Sequence, residues 1–226
     1  LGRFRNLLIQ NGIQGRLFKQ VVAMLTERGL ILKKGTIVDS TIIEAPSSVK
    51  NKEKKRDPDA HQTKKGNQWY HGMKIHTGVD AGSGYVHTIT ATAANVSDIE
   101  ETHNLLRHDD KVCYLDSGYT GIEKRPEIVG NDYLSAIEYR VAMKPSRLKT
   151  AKTFKGINWE RQIESRKAST RCKGEHPFLI VKNFFGYSKV AYKGLAKNLN
   201  RFYMLFASAN LLMCIRSKRT NEFVME

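Results

Sequence analysis

The chain has 226 residues, of which 38 are lysine or arginine and 22 are aspartate or glutamate, giving a formal net charge of +16. This length suits one main domain with some additional structure. No segment approaches the roughly 18 consecutive apolar residues that a membrane span needs, so we expect no membrane-spanning helix. The excess of positive charge indicates a polyanionic partner, with nucleic acid as the first choice and a merely solvated basic surface as the alternative.

The three cysteines, Cys113, Cys172 and Cys214, are odd in number and have no CxxC spacing. This pattern supports neither a disulfide framework nor a zinc ribbon, and a reducing cytoplasm is the compartment that fits it best. The first residues lack the apolar core of a signal peptide, so we interpret them as an amphipathic helical pair inside a longer gene product.

The N-terminal part of the chain divides into a helical segment, a strand and a basic loop. In residues 1–34, apolar positions at helical spacing predict two short helices that end near Gly29. The β-branched stretch at residues 35–45 predicts a strand that contains Asp39 and ends before Pro46. Residues 47–67 are almost entirely polar and lysine-rich, which predicts a mobile loop that either follows a DNA backbone or is simply solvated.

The middle of the chain alternates between strands and helices. Residues 69–80 and 85–95 predict a β-hairpin joined by a glycine-containing turn. A helix start follows at Ser97, and then a short apolar strand that ends in Asp116. A helix near residues 123–129, a strand at 138–144 and apolar helical sequence at 200–215 complete an order that predicts the α/β class.

Two aspartates occupy positions where an aspartate is costly. Asp39 lies within one apolar strand and Asp116 ends another, and a buried carboxylate needs a compensating partner. Each could cap a helix or pair with a lysine. In a strongly basic protein, a magnesium site facing a phosphate is the competing interpretation, because Mg²⁺ takes carboxylate oxygens together with water and substrate phosphate.

A third acid follows in the C-terminal half. Arg171, Glu175 and Lys182 are spaced by four and seven residues, which sets them on one face of a helix. Pro177 interrupts this pattern, so we expect the helix either to begin near Gly174 or to kink there. On spacing alone, an ordinary solvated helix position is the favoured interpretation of Glu175.

These residues carry a family resemblance. The DST at Asp39, the DSGY at Asp116 and the Arg171, Glu175, Lys182 spacing resemble bacterial insertion-sequence transposases of the DDE type. The blocks GTIVDSTIIEAPSS, HQTKKGNQWYHGMKIHTGVD and GYSKVAYKGLAKN are similar to the group named after insertion sequence five, whose sister group is named after insertion sequence four. The family signature usually begins with a tyrosine where this chain has Ala168.

The resemblance implies an α/β, ribonuclease-H-like catalytic domain at residues 35–218, with a mixed sheet flanked by helices, after the helical segment at 1–34 and before a tail at 219–226. Asp39, Asp116 and Glu175 would be the catalytic, metal-binding triad, and Arg171 and Lys182 would hold DNA phosphates. Magnesium, or manganese as a substitute, would support cleavage at element ends and strand transfer by two-metal phosphoryl transfer. Double-stranded DNA and a homodimer in the DNA complex are the implied partners.

Two alternatives stay open for the activity. A truncated, catalytically inactive protein could still bind DNA, and a metal-dependent nuclease could cleave without joining. The two tryptophans could stack on an unpaired base, but large aromatic residues usually fill cores, so we assign Trp69 to the core and favour a base contact only slightly for Trp159.

Overall fold

The computed structural model describes residues 2–46, 55–149 and 158–224. These residues form six strands and seven α-helices. The strands are β1 (Thr36–Glu44), β2 (His61–Lys65), β3 (Gln68–Asp80), β4 (Val86–Ala93), β5 (Val112–Leu115) and β6 (Glu138–Val141). The helices are α1 (Gly2–Gln10), α2 (Ile13–Glu27), α3 (Pro126–Val129), α4 (Asp132–Ser135), α5 (Pro145–Lys149), α6 (Trp159–Leu179) and α7 (Leu195–Val224).

The strands form one mixed sheet in the order β2-β3-β1-β5-β6, with β4 also paired to β3. Strand β1 is antiparallel to β3 and parallel to β5, and β5 is parallel to β6. Strands β2 and β4 pair with successive stretches of β3, residues 68–72 and residues 73–79. This arrangement, an α/β fold with helices flanking a mixed sheet, confirms the predicted fold class.

Each face of the sheet has its own hydrophobic core. On one face, side chains of β1 and β3 pack against α6, the turn that follows it and α7; they include Ile37, Ile43, Met73, Ile75, Phe178, Val181, Phe202 and Phe206. On the other face, β1 and β5 pack against the segments between β4 and β6, through Val38, Leu105, Leu115, Ile128 and Leu134. Because side chains alternate along β1, Ile37 and Asp39 belong to the face that α6 and α7 cover.

Several predicted elements are present with different boundaries. The predicted loop at 47–67 contains β2, since residues 61–65 pair with β3, while residues 47–54 lie outside the described residues. The predicted helix after Ser97 is a 3-10 helix, Asp98–Asn104, and Ser97 makes no side-chain cap. At the C-terminus, α7 continues to Val224, so the predicted tail at 219–226 is largely helical.

Helix α6 begins earlier than its sequence suggested. Asn158 accepts a hydrogen bond from the backbone N–H of Arg161 and so caps a helix of 21 residues. The prediction that this helix begins near Gly174 is therefore wrong. Within the part of the chain that the structure describes, no helix combines the length and apolar character needed to cross a membrane.

Candidate active site

The register of two parallel strands brings Asp39 and Asp116 together. Thr36 lies opposite Cys113 and Ile37 opposite Tyr114. Strand β5 ends at Leu115, and continuing the same register by two residues sets Asp116 beside Asp39. Asp116 caps the short 3-10 helix that follows, because its Oδ1 atom accepts the backbone N–H of Gly118 at 2.7 Å. The prediction that Asp116 follows directly after a strand is confirmed.

The environment of Asp39 disfavours its charged form, and two neighbouring acids add to this effect. Burial is the largest cause and raises the pKa of Asp39 to about 6, with the charges of Asp116 and Glu175 adding to the increase. A hydrogen bond from the Ser40 backbone N–H, 2.8 Å from Oδ1, and the charge of Arg171 act in the opposite direction. Asp39 therefore lies within electrostatic reach of two other acids and of one arginine, all of them predicted site residues.

Gly174 allows α6 to approach β1 next to this cluster. The residue is buried, and a Cβ atom added to it would lie 2.9 Å from the Cγ2 atom of Ile37. Such contact is too close for any residue except glycine without a shift of the helix or of Ile37. Because Glu175 is the next residue along α6 and Asp39 lies two residues beyond Ile37, this close packing keeps the backbone that carries Glu175 near the strand that carries Asp39. The Glu175 side chain is exposed and also lines a cleft with His176, Phe184 and Arg216.

Lys182 connects the continuation of the same helix to the end of β1. Its Nζ atom donates to the Thr41 hydroxyl at 2.6 Å and to the Ile42 carbonyl at 3.1 Å. The eight residues from Gly174 to Lys182 rise about 12 Å along a helix, and the four from Ile37 to Thr41 span about 13 Å of strand. The helix thus runs along β1, with a predicted acid near one end of the contact and a predicted cation at the other.

The environment of the half-buried Lys182 ammonium disfavours its charged form. Burial lowers the pKa of Lys182, the nearby charge of Lys65 lowers it further, and Glu44 opposes both effects. Two of the three N–H donors of Lys182 are used on β1, so the lysine has a structural role in addition to any contact with phosphate.

Helix α6 continues past Pro177, and the residues after it form a π-helical turn. Residues Ile180–Phe184 form a π-helical turn immediately after α6, in which the Phe185 N–H bonds the Ile180 carbonyl. Proline has no N–H group with which to continue the α-helical ladder. A π-helical turn of this kind is frequent at functional sites, and here it contains Lys182, whose side chain reaches β1.

The three carboxylates do not form a closed ligand shell. Among the described residues, no group of three or more His, Cys, Asp or Glu side chains is arranged to hold a metal ion. Glu175 is exposed on the surface of α6, whereas Asp39 and Asp116 are half-buried at the sheet. The site therefore consists of an aspartate pair set by strand register and a glutamate within electrostatic reach on the adjacent helix.

A wide basic cleft adjoins this site. It has a volume of about 930 Å³ and lies between the loop after Asp116, strand β6 and the first half of α6. Its lining includes Thr120 and Gly121 from the loop and five cations, namely Arg140, Lys144, Arg147, Arg166 and Lys167. Three glutamates, Glu123, Glu138 and Glu164, also line the cleft; Glu138 pairs with Arg140 and Glu164 with Lys167.

Sequence reasoning missed three features of the site. Gly174 was treated only as a possible helix start, although a glycine directly before a candidate catalytic acid is a signal for close packing. Thr41, which accepts from Lys182, follows Asp39 by two residues on the same strand face. The basic sequence around Arg140 and Lys144 was assigned to a strand and a loop, without a cleft.

Comparisons with known proteins identify the family and the fold. A family model described as "Transposase DDE domain" matches residues 31–211, well over half of the chain. Among solved structures, the chain resembles the protein described as "Cryo-EM structure of piggyBac transposase synaptic complex with hairpin DNA (SNHP)", with a TM-score of 0.52 and 12% sequence identity. The match covers 84% of this chain and 48% of the other, so the chain spans about half the length of that relative.

At this identity, the structural match establishes a shared fold, that of a transposase with a ribonuclease-H-like domain, and the family model establishes descent. Enzymes of the DDE transposase family use divalent metal ions. The chain belongs to the transposase DDE domain family.

Proposed function

We propose that this protein cleaves DNA at the ends of a mobile element and joins the freed ends to target DNA, using Asp39, Asp116 and Glu175. The observation that supports the proposal is the position of Asp39 in β1 beside the C-terminal end of β5, where the charges of Asp116 and Glu175 both act on it. A largely buried carboxylate whose pKa is raised by burial and by neighbouring acids, as for Asp39, is suited to bind a cation. Family membership supplies the reaction class.

The donor set fits a hard divalent ion such as Mg²⁺, or Mn²⁺ in its place. All three side chains offer carboxylate oxygens, and Mg²⁺ commonly takes one or two protein carboxylates and completes its shell with water and phosphate oxygens. The ion would supply activation of the attacking oxygen and charge compensation in phosphoryl transfer, and a two-metal arrangement is the form we propose. Two of the three donors come from the inner strands β1 and β5 of the sheet and the third from α6.

The cations around the acids would bind the substrate. Arg171 is close enough to lower the pKa of Asp39, and a guanidinium can hold a phosphate through two parallel hydrogen bonds. Lys182 keeps one N–H donor beyond the two that it uses on β1. The cleft with its five cations would accept the backbone of double-stranded DNA on the Asp116 side of the site.

The insertion-sequence group, the location in the cell and the oligomeric state are also part of the proposal. The motif blocks quoted above support a bacterial insertion sequence of the insertion sequence five group. They also support a cytoplasmic protein that associates with the nucleoid and acts as a homodimer when two element ends are paired. The relative described above is a transposase in a synaptic complex with hairpin DNA, which agrees with a DNA partner for this chain.

One observation favours a second candidate, a DNA-binding protein without activity. Within the described residues the acids do not form a metal-binding group of three, as expected if this chain kept its fold and its basic surface but lost the reaction. A nuclease that cleaves without joining is a third outcome that the same experiment distinguishes.

The test is a strand-transfer reaction. A labelled duplex with a recessed or free 3′ hydroxyl end is incubated with the protein, Mg²⁺ and a supercoiled plasmid. The proposal predicts labelled plasmid products that depend on Mg²⁺. Cleavage products without joining would support the nuclease, and salt-sensitive DNA binding with neither product would support the inactive protein.

A further inference from the structure

The hairpin formed by β2 and β3 presents a tryptophan to solvent. Gly66 and Asn67 form its two-residue loop, and Gly66 has a φ of 62°, as in the type II′ turns that begin with glycine. Trp69, the second residue of β3, is 64% exposed. The assignment of Trp69 to the core is therefore wrong, because at this position β3 extends beyond the helices that cover the centre of the sheet.

The surroundings of Trp69 are basic. Between His61 and Tyr70 the sequence contains no acidic residue. Lys64 lies directly opposite Trp69 in the antiparallel register, so the two side chains share a face, and Lys65 follows at the turn. Both lysines are exposed. The hairpin tip thus combines a solvent-facing aromatic ring with two nearby ammonium groups.

The hairpin tip lies on the same side of the sheet as the candidate active site. Thr77 pairs with Asp39, and Trp69 precedes Thr77 by eight residues, an even number, so alternation places Trp69 and Asp39 on one face. Eight residues of strand span at most about 26 Å. In addition, Lys65 is near enough to Lys182 for its charge to act there, which connects the tip to the cationic end of the site.

The residues at the hairpin tip favour a nucleic-acid ligand over a protein partner. A protein partner would need a contiguous apolar patch, but the hairpin residues before Trp69, residues 61–68, are all polar or glycine. A flat ring flanked by cations matches an unpaired nucleobase flanked by phosphates. Stacking of this kind accepts any base, because every base has a π-face.

We propose that Trp69 stacks on an unpaired base of the bound DNA, while Lys64 and Lys65 contact the phosphates beside it. This contact deepens the proposed function, on which it rests for DNA as the partner. Trp69 lies at most about 26 Å along β3 from Thr77, the residue that pairs with Asp39. At about 3.4 Å per nucleotide, the contact would reach DNA up to roughly eight nucleotides from the cleaved bond.

The test uses tryptophan fluorescence. The chain has two tryptophans, so Trp159→Phe leaves Trp69 as the single reporter. This variant is titrated, without divalent ions, with three oligonucleotides of the same length: a single strand, a duplex with a short unpaired segment and a fully paired duplex. We expect quenching by the first two and little by the third. Binding without quenching by any of them, or equal quenching by the paired duplex, would overturn the proposal.

A substitution series supports the same point by affinity. In the full chain, Trp69→Ala should weaken binding to the duplex with an unpaired segment by about 5- to 150-fold, the range that loss of one stacked base corresponds to. Trp69→Phe should retain most of the affinity. Phe4→Ala removes an equally exposed aromatic residue (63%) from α1 and should change nothing. Equal effects of Phe4→Ala and Trp69→Ala would contradict a specific contact.

These measurements are independent of catalysis. They are made without metal ions, so a protein that fails to cleave or join DNA can still show Trp69 stacking. Conversely, a protein that performs strand transfer but shows no quenching of Trp69 would retain the proposed function and lose this contact. Circular dichroism of each variant checks that the fold is intact.

Discussion

Gly174 in α6 lies against Ile37 in β1 so closely that a methyl group on the glycine would come within 2.9 Å of the Ile37 Cγ2 atom. This contact sets the distance between a helix that carries one candidate acid and a strand that carries another. The site therefore depends on a residue that has no chemistry of its own.

The first prediction concerns this contact. Gly174→Ala should lower the free energy of unfolding, because overpacking a buried contact costs roughly 1–3 kcal/mol and exceeds the gain of up to about 1 kcal/mol in helix propensity. It should lower DNA cleavage further than the loss of folded protein explains. Chemical denaturation and an initial-rate cleavage assay measure the two effects.

Gly15→Ala is the matched control. Gly15 also lies in a helix, α2, but a Cβ atom there would meet the Tyr203 ring at an ordinary 3.5 Å. This substitution should raise the free energy of unfolding by about 0.5–1 kcal/mol and leave cleavage unchanged. If both substitutions stabilised the protein equally, the close approach of α6 to β1 would have no energetic significance.

The second prediction concerns the pH dependence that Asp39 creates. Its pKa is raised from 3.8 to about 6, chiefly by burial, so the folded protein binds a proton more tightly than the unfolded chain. Stability should therefore fall as the pH rises from about 4 to about 6 and stay reduced above that range. In metal-free protein at pH 7, Asp39→Asn should raise the free energy of unfolding by roughly 1–3 kcal/mol.

The measurement is urea denaturation of both proteins in EDTA at several pH values. The advantage of Asp39→Asn should shrink as the pH falls from 6 and approach zero about one unit below the unfolded pKa of 3.8, where the wild-type carboxyl is protonated in both states. The prediction would be contradicted if Asp39→Asn lowered the free energy of unfolding at pH 7. It would also be contradicted if the difference in free energy of unfolding between the two proteins did not change with pH.

The third prediction concerns a buried ion network away from the acids. Arg107 donates to Asp110 at 2.9 Å and to Asp80 at 3.3 Å, and the side chains of both aspartates have no solvent exposure. Burial alone would raise the pKa of Asp80, but hydrogen bonds from Ser83 and the charge of Arg107 outweigh it, so the pKa is lowered. Arg107→Met should cost about 3–5 kcal/mol, because two buried carboxylates would lose their partner.

Arg125→Met provides the contrast for Arg107. Arg125 pairs with Glu127 at 3.0 Å on the surface, where ion pairs contribute little to stability. Thermal denaturation should therefore show a large decrease in Tm for Arg107→Met and almost none for Arg125→Met. Similar decreases for the two variants would contradict a special role for the buried network.

The order of most strands along the chain and the class of the fold could be predicted from the sequence, for a physical reason. Strand β1 has apolar β-branched residues on both sides of Asp39, and β5 is a short apolar strand that Asp116 follows directly. A carboxylate in such surroundings is costly without compensation. Alternation and register then require Asp39 and Asp116 to be neighbours. Such local patterns survive folding because nothing in the tertiary structure competes with them.

Helix α6 and the β2-β3 hairpin were harder to predict, since tertiary contacts determine them. Pro177 indicated a helix start or a kink, but capping by Asn158 and packing of Gly174 on Ile37 carry the helix through the proline. Residues 61–65 have a polar composition typical of a loop, yet they pair with β3 as an edge strand. Edge strands need little apolar burial, so composition alone does not reveal them.

The most direct test of the account is cleavage of labelled DNA in Mg²⁺ by Asp116→Asn. The amide retains an oxygen that can accept the Gly118 N–H, so the fold and metal-free DNA binding should be preserved, while the loss of one ionised oxygen ligand should reduce cleavage by at least a hundredfold. Asp132→Asn, in the exposed first turn of α4, should cleave like the wild type. Undiminished cleavage by Asp116→Asn would contradict a shared catalytic site at Asp39, Asp116 and Glu175.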